Sequence, residues 1–313
     1  MRAVVTGVAG FIGSQLAQAL GERGDEVVGV DSFSPYYSVE RKRANLDLVL
    51  DDATFTFVEG DVNELDLESV LDGVDVVFHL AGQPGVRASW GREFDVYLAQ
   101  NVLTTQKLLE AGKATNIKRF VLASSSSVYG QAEHFPTHES DVPRPVSPYG
   151  VTKAAAEQLC HLYDVAFDID SVILRYFTIF GPRQRPDMFF SRLISSALDR
   201  RPITIIGDGH QSRDFTYVAD AVAATIAAAD SGTRGRTYNI AGGTDATVLE
   251  VVALLETLVG WPLEREHLDP VPGDPRKTGA DTSAARHDFR YSPAFSLEDG
   301  LARQLEHARA EPA

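Results

Sequence analysis

The first thirty-one residues constrain the fold of this chain more than any other segment. Arg2 to Thr6 reads as a short buried strand with Ala3, Val4 and Val5 at its centre. It runs into Gly7-Val8-Ala9-Gly10-Phe11-Ile12-Gly13 and then into a helical stretch, Ser14 to Arg23. A glycine turn between strand and helix lets backbone come close to a pyrophosphate, which then sits on the helix N-terminus. A second strand, Glu26-Val27-Val28-Gly29-Val30, ends at Asp31. That acid falls where a carboxylate accepts hydrogen bonds from an adenosine ribose, and its charge repels a 2′-phosphate. The segment predicts a dinucleotide site that prefers NAD to NADP. Its alternative is a glycine-rich turn that holds no ligand.

The pattern continues for more than half of the chain. Apolar strand-like runs recur at Phe55 to Val58, Val74 to Leu80, Phe120 to Ala123 and Ser171 to Leu174. Helical patterns lie between them, including Phe94 to Gly112 and Val151 to Phe167. Strands that are apolar throughout and alternate with helices predict a parallel sheet covered on both faces. Ligands of such sheets bind beyond the carboxyl ends of the strands, where Gly7, Asp31, Ala81, Ser125 and Tyr176 fall. After about residue 176 the pattern loosens, with punctuation at Gly181-Pro182, Pro186, Pro202, Gly207, Gly209, Pro262, Pro270 and Pro272. The expected architecture is α/β: a Rossmann-type doubly wound parallel sheet with a smaller C-terminal α/β region. The expected division is 1–176 for the dinucleotide and 177–313 for the substrate. The segment from Asp31 to Leu50, with Pro35-Tyr36-Tyr37 and Arg41-Lys42-Arg43, reads either as a loop and helix beside the adenosine or as plain surface.

Composition narrows the function classes. With 313 residues the chain can bury a large core in one or two domains. No apolar run approaches the roughly 18 residues of a membrane span, and the N-terminus is strand-like rather than signal-like. A single cysteine, Cys160, leaves no partner for an internal disulfide and lacks metal-ligand spacing. We expect a cytoplasmic protein with no structural metal and no membrane contact. A net charge of −15 argues against a nucleic-acid partner, while an anionic substrate requires basic residues gathered locally.

Chemistry enters at Tyr149-Gly150-Val151-Thr152-Lys153, at the start of a helical stretch. One helical turn separates the tyrosine from the lysine, so both can address one spot. An ammonium beside a phenol favours the phenolate, giving a base able to take a hydroxyl proton while a hydride leaves the same carbon. Alone, such a pair on a helix is more often solvated surface.

Taken with Gly-x-x-Gly-x-x-Gly at the N-terminus, this pair resembles the extended short-chain dehydrogenase/reductase superfamily, and within it the nucleotide-sugar epimerases and dehydratases. Ordered matches run along nearly the whole chain: Asp61-Val62, His79-Leu80-Ala81-Gly82, Asn101, Ser124-Ser125-Ser126-Ser127-Val128-Tyr129-Gly130, Arg175-Tyr176-Phe177, Gly181-Pro182, Arg213-Asp214-Phe215 and Tyr238-Asn239-Ile240. The resemblance implies a catalytic core of Ser125, Tyr149 and Lys153. In it Ser125 hydrogen-bonds the reacting hydroxyl, Tyr149 is base and later acid, and Lys153 lowers the tyrosine pKa and holds the nicotinamide ribose. It also implies an NAD site built from Gly7, Gly10, Phe11, Ile12, Gly13, Asp31, Asp61, Val62, Leu80, Ala81, Gly82, Asn101, Ser124, Tyr149, Lys153 and Tyr176. Asn101 there supports the site from behind; its alternative is a helix surface position.

The branches of the family share oxidation at C4 of a nucleotide-sugar and differ in the fate of the 4-keto intermediate. The dehydratases this chain resembles carry Asp-Glu where Ser126 and Ser127 stand, and the sugar-acid decarboxylases carry Glu at the position of Ser127. Serines cannot replace those acid–base groups, so the resemblance favours 4-epimerisation, which needs no further acid or base. Asp31 to Tyr37, Gln83 to Ser89, Arg175 to Thr178 and Gly181 to Met188 look like epimerases acting on UDP-glucuronate. Thr178 stands where UDP-glucose epimerases usually show Asn. Arg183 and Arg185 offer a fork to a carboxylate, or are solvated turn residues. The resemblance implies Arg213 and Arg276 at the UDP phosphates, with Arg192 reaching the nucleotide, Arg87, Ser126 and Ser127 among the substrate-binding residues, and Phe190 and Ile206 against the uracil, core packing being the default for Ile206. The alternatives are a UDP-glucuronate decarboxylase, a UDP-glucose 4-epimerase, and a dinucleotide-binding scaffold without chemistry, against which Tyr149 and Lys153 both speak. Apolar residues at helical spacing, among them Val102, Leu108, Leu109, Leu159, Leu162 and Val165, mark helices that in the family pair two copies as a homodimer; burial in the monomer core is the competing explanation.

Overall fold

A computed structural model describes residues 1–269 and 275–310; Pro270 and the Pro272-Gly273-Asp274 run before Arg276 lie outside the described residues. The first half alternates strand and helix: β1 Arg2–Thr6, α1 Phe11–Glu22, β2 Glu26–Asp31, α2 Val39–Leu50, β3 Phe55–Glu59, α3 Leu67–Val70, β4 Val76–His79, α4 Phe94–Tyr97, α5 Thr104–Thr115, β5 Arg119–Ser125, α6 Pro148–Phe167 and β6 Ser171–Tyr176. Shorter elements come next: β7 Ile179–Phe180, α7 Phe189–Leu198, β8 Ile203–Ile206, β9 Ser212–Asp214, β10 Thr216–Tyr217, α8 Val218–Ser231, β11 Thr237–Ile240, β12 Asp245–Thr247, α9 Val248–Val259, β13 Arg265–Leu268, α10 Ser283–Phe289 and α11 Leu297–Ala310.

Seven strands form one sheet in the order β3-β2-β1-β4-β5-β6-β11, every pair parallel. This is the doubly wound arrangement that the alternation predicts, with its switch point between β1 and β4. Strand residues alternate between the two faces. Ala3 and Val5 pack with Leu16 and Leu20 of α1, whereas Val4 packs with Leu108, Leu109 and Cys160 on the opposite side. Side chains buried on both faces explain why the strands read as unbroken apolar runs. The second half of the chain re-enters this sheet, because β11 lies beside β6 and α8 packs on β5 and β6. Three two-stranded pairs, β7–β10, β9–β12 and β8–β13, flank it.

Helix signals sit where the sequence supplies them. Ser147 caps α6 by accepting from the Gly150 amide at 3.1 Å, Pro148 occupies its first turn, and Asp168 ends it in a left-handed conformation. Thr247 and Glu250 form a reciprocal capping box on α9. The helix expected over Phe94 to Gly112 is interrupted: a π-helical turn, Leu98–Leu103, joins α4 to α5. Such turns insert one extra residue and are frequent at functional sites.

The apolar stripe expected to meet a second copy divides in two. Leu108 and Leu109 are 1% and 0% exposed and belong to the monomer core. Val102 and Leu159 are half-buried. Leu162 and Val165 are 55% and 87% exposed, and Leu98, Leu103, Val151 and Phe167 are exposed as well.

Candidate active site

The glycine turn between β1 and α1 makes the floor of a cleft of about 310 Å³ at the carboxyl edge of the sheet. Gly7 has φ +72°, and a Cβ there would lie 2.9 Å from the Ala81 amide nitrogen. A Cβ on Gly13 would lie 2.2 Å from Gly7 O, so both positions require glycine. Helix α1 begins with no side chain capping its amides, which leaves them open to an anion. At the tip of β2, Asp31 accepts from the Ala9 amide at 3.1 Å and the Phe33 amide at 2.8 Å. Lys42 approaches Asp31 at 3.8 Å and donates to Ser34 at 3.2 Å. The segment after β2 is therefore part of the cleft wall: Ser32, Ser34, Tyr36, Tyr37 and Lys42 all line it. The Tyr37 hydroxyl is buried there with no hydrogen-bond partner among the described residues. Uncapped amides, a glycine cradle, a ribose-type carboxylate and an orphaned hydroxyl together fit a dinucleotide such as NAD.

Most residues expected around that cofactor line this cleft: Gly10, Phe11, Ile12, Asp61, Val62, Leu80, Ala81, Gly82, Ser124 and Tyr176 join those above. Asn101 does not. It lies in the π-helical turn, 2% exposed, and its amide is occupied behind the wall. Its oxygen accepts from the Gln83 amide at 2.7 Å, and its nitrogen donates to Gln83 O and Thr152 Oγ1 at 3.1 and 3.0 Å. Gln100, one residue earlier, lines the cleft instead and donates to Asp61 at 2.8 Å.

The reaction end of the cleft is built by α6 against the end of β5. Tyr149 and Lys153 line it together. The Ser125 hydroxyl stands near enough to Tyr149 to pull its phenol down, and it meets Ser127, whose amide donates to Ser125 Oγ at 3.1 Å. Ser126 and Ser127 occupy the short 3-10 turn after β5. Tyr97 stands edge-on to Tyr149, with ring centres 6.4 Å apart, and its hydroxyl reaches the Pro84 and Gly85 carbonyls at 2.8 and 2.9 Å. One expectation needs correction. The Lys153 ammonium donates to Ala123 O at 2.9 Å, and Lys153 is not among the groups that shift the Tyr149 phenol. Burial pushes the Tyr149 phenol up, and the groups that pull it back are the Ser125 hydrogen bond and then the Arg185 charge. Lys153 is itself pulled down to about 8, chiefly by burial and against the charge of Glu157.

Tyr36 separates this cleft from a groove of about 520 Å³ beneath α7 and β8. Arg87, Thr178, Arg192, Ile206 and Arg213 line the groove. Arg185 stands at the junction, in the wall of the cofactor cleft. Arg276 is not brought in with them. It is exposed, holds Asp208 at 2.7 and 2.9 Å, and lines an adjoining pocket that shares Ile206 and Gln211 with the groove. Phe190 is a further correction: it is 0% exposed and stacks on Phe180 at 4.6 Å inside the core. Its neighbour Phe189 faces the groove. Arg183 turns away too, donating to Gln18 at 3.0 Å and approaching Ser14 of α1.

Residues 3–241 match the NAD dependent epimerase/dehydratase family, and the chain belongs to it. Among its relatives, the uncharacterized UDP-glucose epimerase YtcB of Bacillus subtilis is 45% identical over 309 residues, spanning 98% of each chain. A UDP-glucuronate 4-epimerase of Thermodesulfobacterium geofontis is 37% identical over 312 residues, spanning 98% of this chain and 95% of that one. Among solved structures, UDP-glucuronic acid 4-epimerase from Bacillus cereus, in complex with UDP-glucuronic acid and NAD, is 44% identical with a TM-score of 0.96, and 99% of each chain is covered.

Proposed function

We propose that this protein is an NAD-dependent UDP-sugar 4-epimerase that converts UDP-glucuronate into UDP-galacturonate through a 4-keto intermediate. The observation that carries the choice of sugar is the position of Arg185, a guanidinium whose charge is felt at the Tyr149 hydroxyl. A sugar whose C4 hydroxyl meets Tyr149 carries its C5 carboxylate nearby, within reach of such a cation. The relatives and solved structures named for UDP-glucuronate support the same reading.

NAD supplies a reversible hydride acceptor at C4. Tyr149 takes the C4 hydroxyl proton as the C–H bond breaks, and Ser125 holds the same oxygen. Lys153 stays protonated and would favour the phenolate through the cofactor ribose that it holds. Gly7, Gly10, Phe11, Ile12 and Gly13 hold the cofactor phosphates, and Asp31 holds its adenosine ribose. Arg87, Arg192 and Arg213 face the UDP diphosphate, with Arg276 closing from the adjoining pocket. Ile206 and Phe189 pack the base. Positioning and general acid–base catalysis of this kind supply the rate. After the 4-keto sugar turns over, the hydride returns to its other face and Tyr149 gives the proton back.

The 4-keto form of a glucuronic acid is a β-keto acid, which loses CO₂ when its carboxylate lies perpendicular to the ketone plane. Thr178 and Arg185 hold the carboxylate out of that orientation by a hydroxyl hydrogen bond and a charge-assisted one. Ser126 and Ser127 bring no carboxyl group that assists elimination. We further propose a cytoplasmic homodimer joined along the exposed apolar residues of the π-helical turn before α5 and of α6, with residues 1–176 serving mainly the dinucleotide and 177–313 the nucleotide-sugar, the two regions interleaved through β11. No described helix is long and apolar enough to cross a membrane. The test is to incubate the purified protein with UDP-glucuronate, UDP-galacturonate and UDP-glucose and to identify products by mass and chromatography. UDP-galacturonate from UDP-glucuronate, with little UDP-pentose, supports the reading; a UDP-pentose with CO₂ as main product overturns it.

A further inference from the structure

Three consecutive residues at the end of β5 meet three positions spaced one helical turn apart on α6. Ser125 meets Tyr149, the Ala123 carbonyl takes the Lys153 ammonium, and Ser124 Oγ donates to Glu157. Glu157 is the rung that the chemistry above leaves unused. It is 0% exposed. Arg175 grips it edge-on, Nε to Oε1 at 3.0 Å and Nη2 to Oε2 at 2.7 Å. Arg175 also donates to the Tyr129 hydroxyl at 2.8 Å, and that hydroxyl donates to Asn239 of β11 at 2.7 Å. A fully buried ion pair adds little stability over apolar residues of the same volume. Here it fixes an anion one helical turn from the lysine.

We propose that Glu157 is a positioning residue that keeps Lys153 protonated and aimed into the cleft, with Arg175 locking the carboxylate in place. This rests on the epimerase reading, in which Lys153 works as an ammonium. The charges around Lys153 leave that task to Glu157. On α6 its neighbours are Tyr149, Glu157 and Cys160, and burial pushes the Cys160 thiol far up, so it stays neutral. From β4 comes His79, pulled down to about 3 by burial and then by the Lys153 charge, and therefore neutral as well. From the π-helical turn comes the neutral amide of Asn101, close to the ammonium across Gly82. On the cleft side stands Arg185, a cation paired with Asp187. A dinucleotide with a cationic ring adds one more positive charge to the same cleft. Without a fixed anion, burial drives Lys153 toward the neutral amine.

The test compares wild type with Glu157→Gln, which keeps the shape and the hydrogen-bonding oxygen but removes the charge. Two readouts are used: the pH profile of kcat/KM, and the side-chain ¹³C titration of Lys153. The chain has only six lysines, so labelled lysine resolves the titration and Lys153→Arg assigns it. Glu157→Gln should move both the alkaline limb and the Lys153 midpoint down by about one pH unit or more. Glu157→Asp should restore them toward wild type. If Glu157→Gln leaves Arg175 stranded and the protein fails to fold, Glu157→Gln with Arg175→Met removes both charges and should show a downward shift of smaller size, because the Arg175 cation is lost as well. An alkaline limb and a lysine midpoint that stay in place overturn the proposal and leave Glu157 a packing residue. Wild-type protein that epimerises no UDP-sugar overturns the reading of the site instead, and the lysine titration still judges Glu157.

Discussion

Arg185 and Asp187 form a two-point ion pair, Nε to Oδ1 at 3.0 Å and Nη2 to Oδ2 at 3.1 Å, at the junction of the cofactor cleft and the substrate groove. Tyr36 joins them, its hydroxyl 3.4 Å from Asp187 and its ring 5.8 Å from the guanidinium. The guanidinium already meets a carboxylate along its Nε–Nη2 edge, and the proposed function assigns a substrate carboxylate to its remaining N–H donors. Arg185→Ala should lower the ratio of kcat/KM for UDP-glucuronate over UDP-glucose by at least about tenfold, the scale of one lost charge-assisted hydrogen bond. Steady-state kinetics on both substrates check this; an unchanged ratio places the carboxylate against another cation.

Tyr149→Phe keeps the ring that packs edge-on to Tyr97 and removes the hydroxyl that Ser125 touches. Turnover should fall by at least about a hundredfold, while KM changes little. A Phe variant with near-normal turnover would assign the base to another residue.

His79 makes stability depend on pH. It is buried between Thr6 Oγ1 at 2.9 Å and Thr105 Oγ1 at 3.1 Å, and its pKa falls from 6.5 to about 3. Between those values the unfolded chain binds the proton and the native state does not. Stability from this group is therefore complete above pH 6.5 and is lost as pH falls toward 3, by at most about 1.4 kcal/mol per pH unit. Melting temperatures from pH 7 to pH 5 should decline less steeply in His79→Gln than in wild type. Equal slopes would mean that the histidine titrates freely in the folded state.

The exposed apolar residues of the π-helical turn before α5 and of α6 give the assembly its test. Val165→Glu with Leu162→Glu places two charges on a face that is already solvent-exposed in one copy. The monomer fold should be untouched, and light scattering at micromolar protein should fall from dimer mass to monomer mass. Wild-type protein that is already monomeric contradicts the homodimer.

The sheet was legible because its central strands are buried on both faces, so Ala3-Val4-Val5 is apolar at every position, while the edge strand β3 exposes Thr56 and Glu59. The cofactor cleft was legible because Gly7 and Gly13 meet backbone that tolerates no side chain. Other features left weaker marks. A π-helical turn at Leu98–Leu103 adds one residue that a 3.6-residue period does not register, which hides the inward turn of Asn101. Phe189 and Phe190 are adjacent, and composition cannot say which faces the groove when helix α7 begins at the first of the two. Lys153 and Glu157 are spaced like a solvated surface pair. Only the fold shows that Glu157 has no solvent and that Arg175, from β6, claims its carboxylate.

The central claim is that hydride leaves C4 and returns to C4 in the same active site. It is tested most directly with UDP-glucuronate carrying deuterium at C4. The expected result is UDP-galacturonate that retains the deuterium at C4, no accumulation of NADH, and no activity gained by replacing NAD with NADP. UDP-galacturonate that has lost its deuterium to solvent, or NADH that builds up with product, contradicts it.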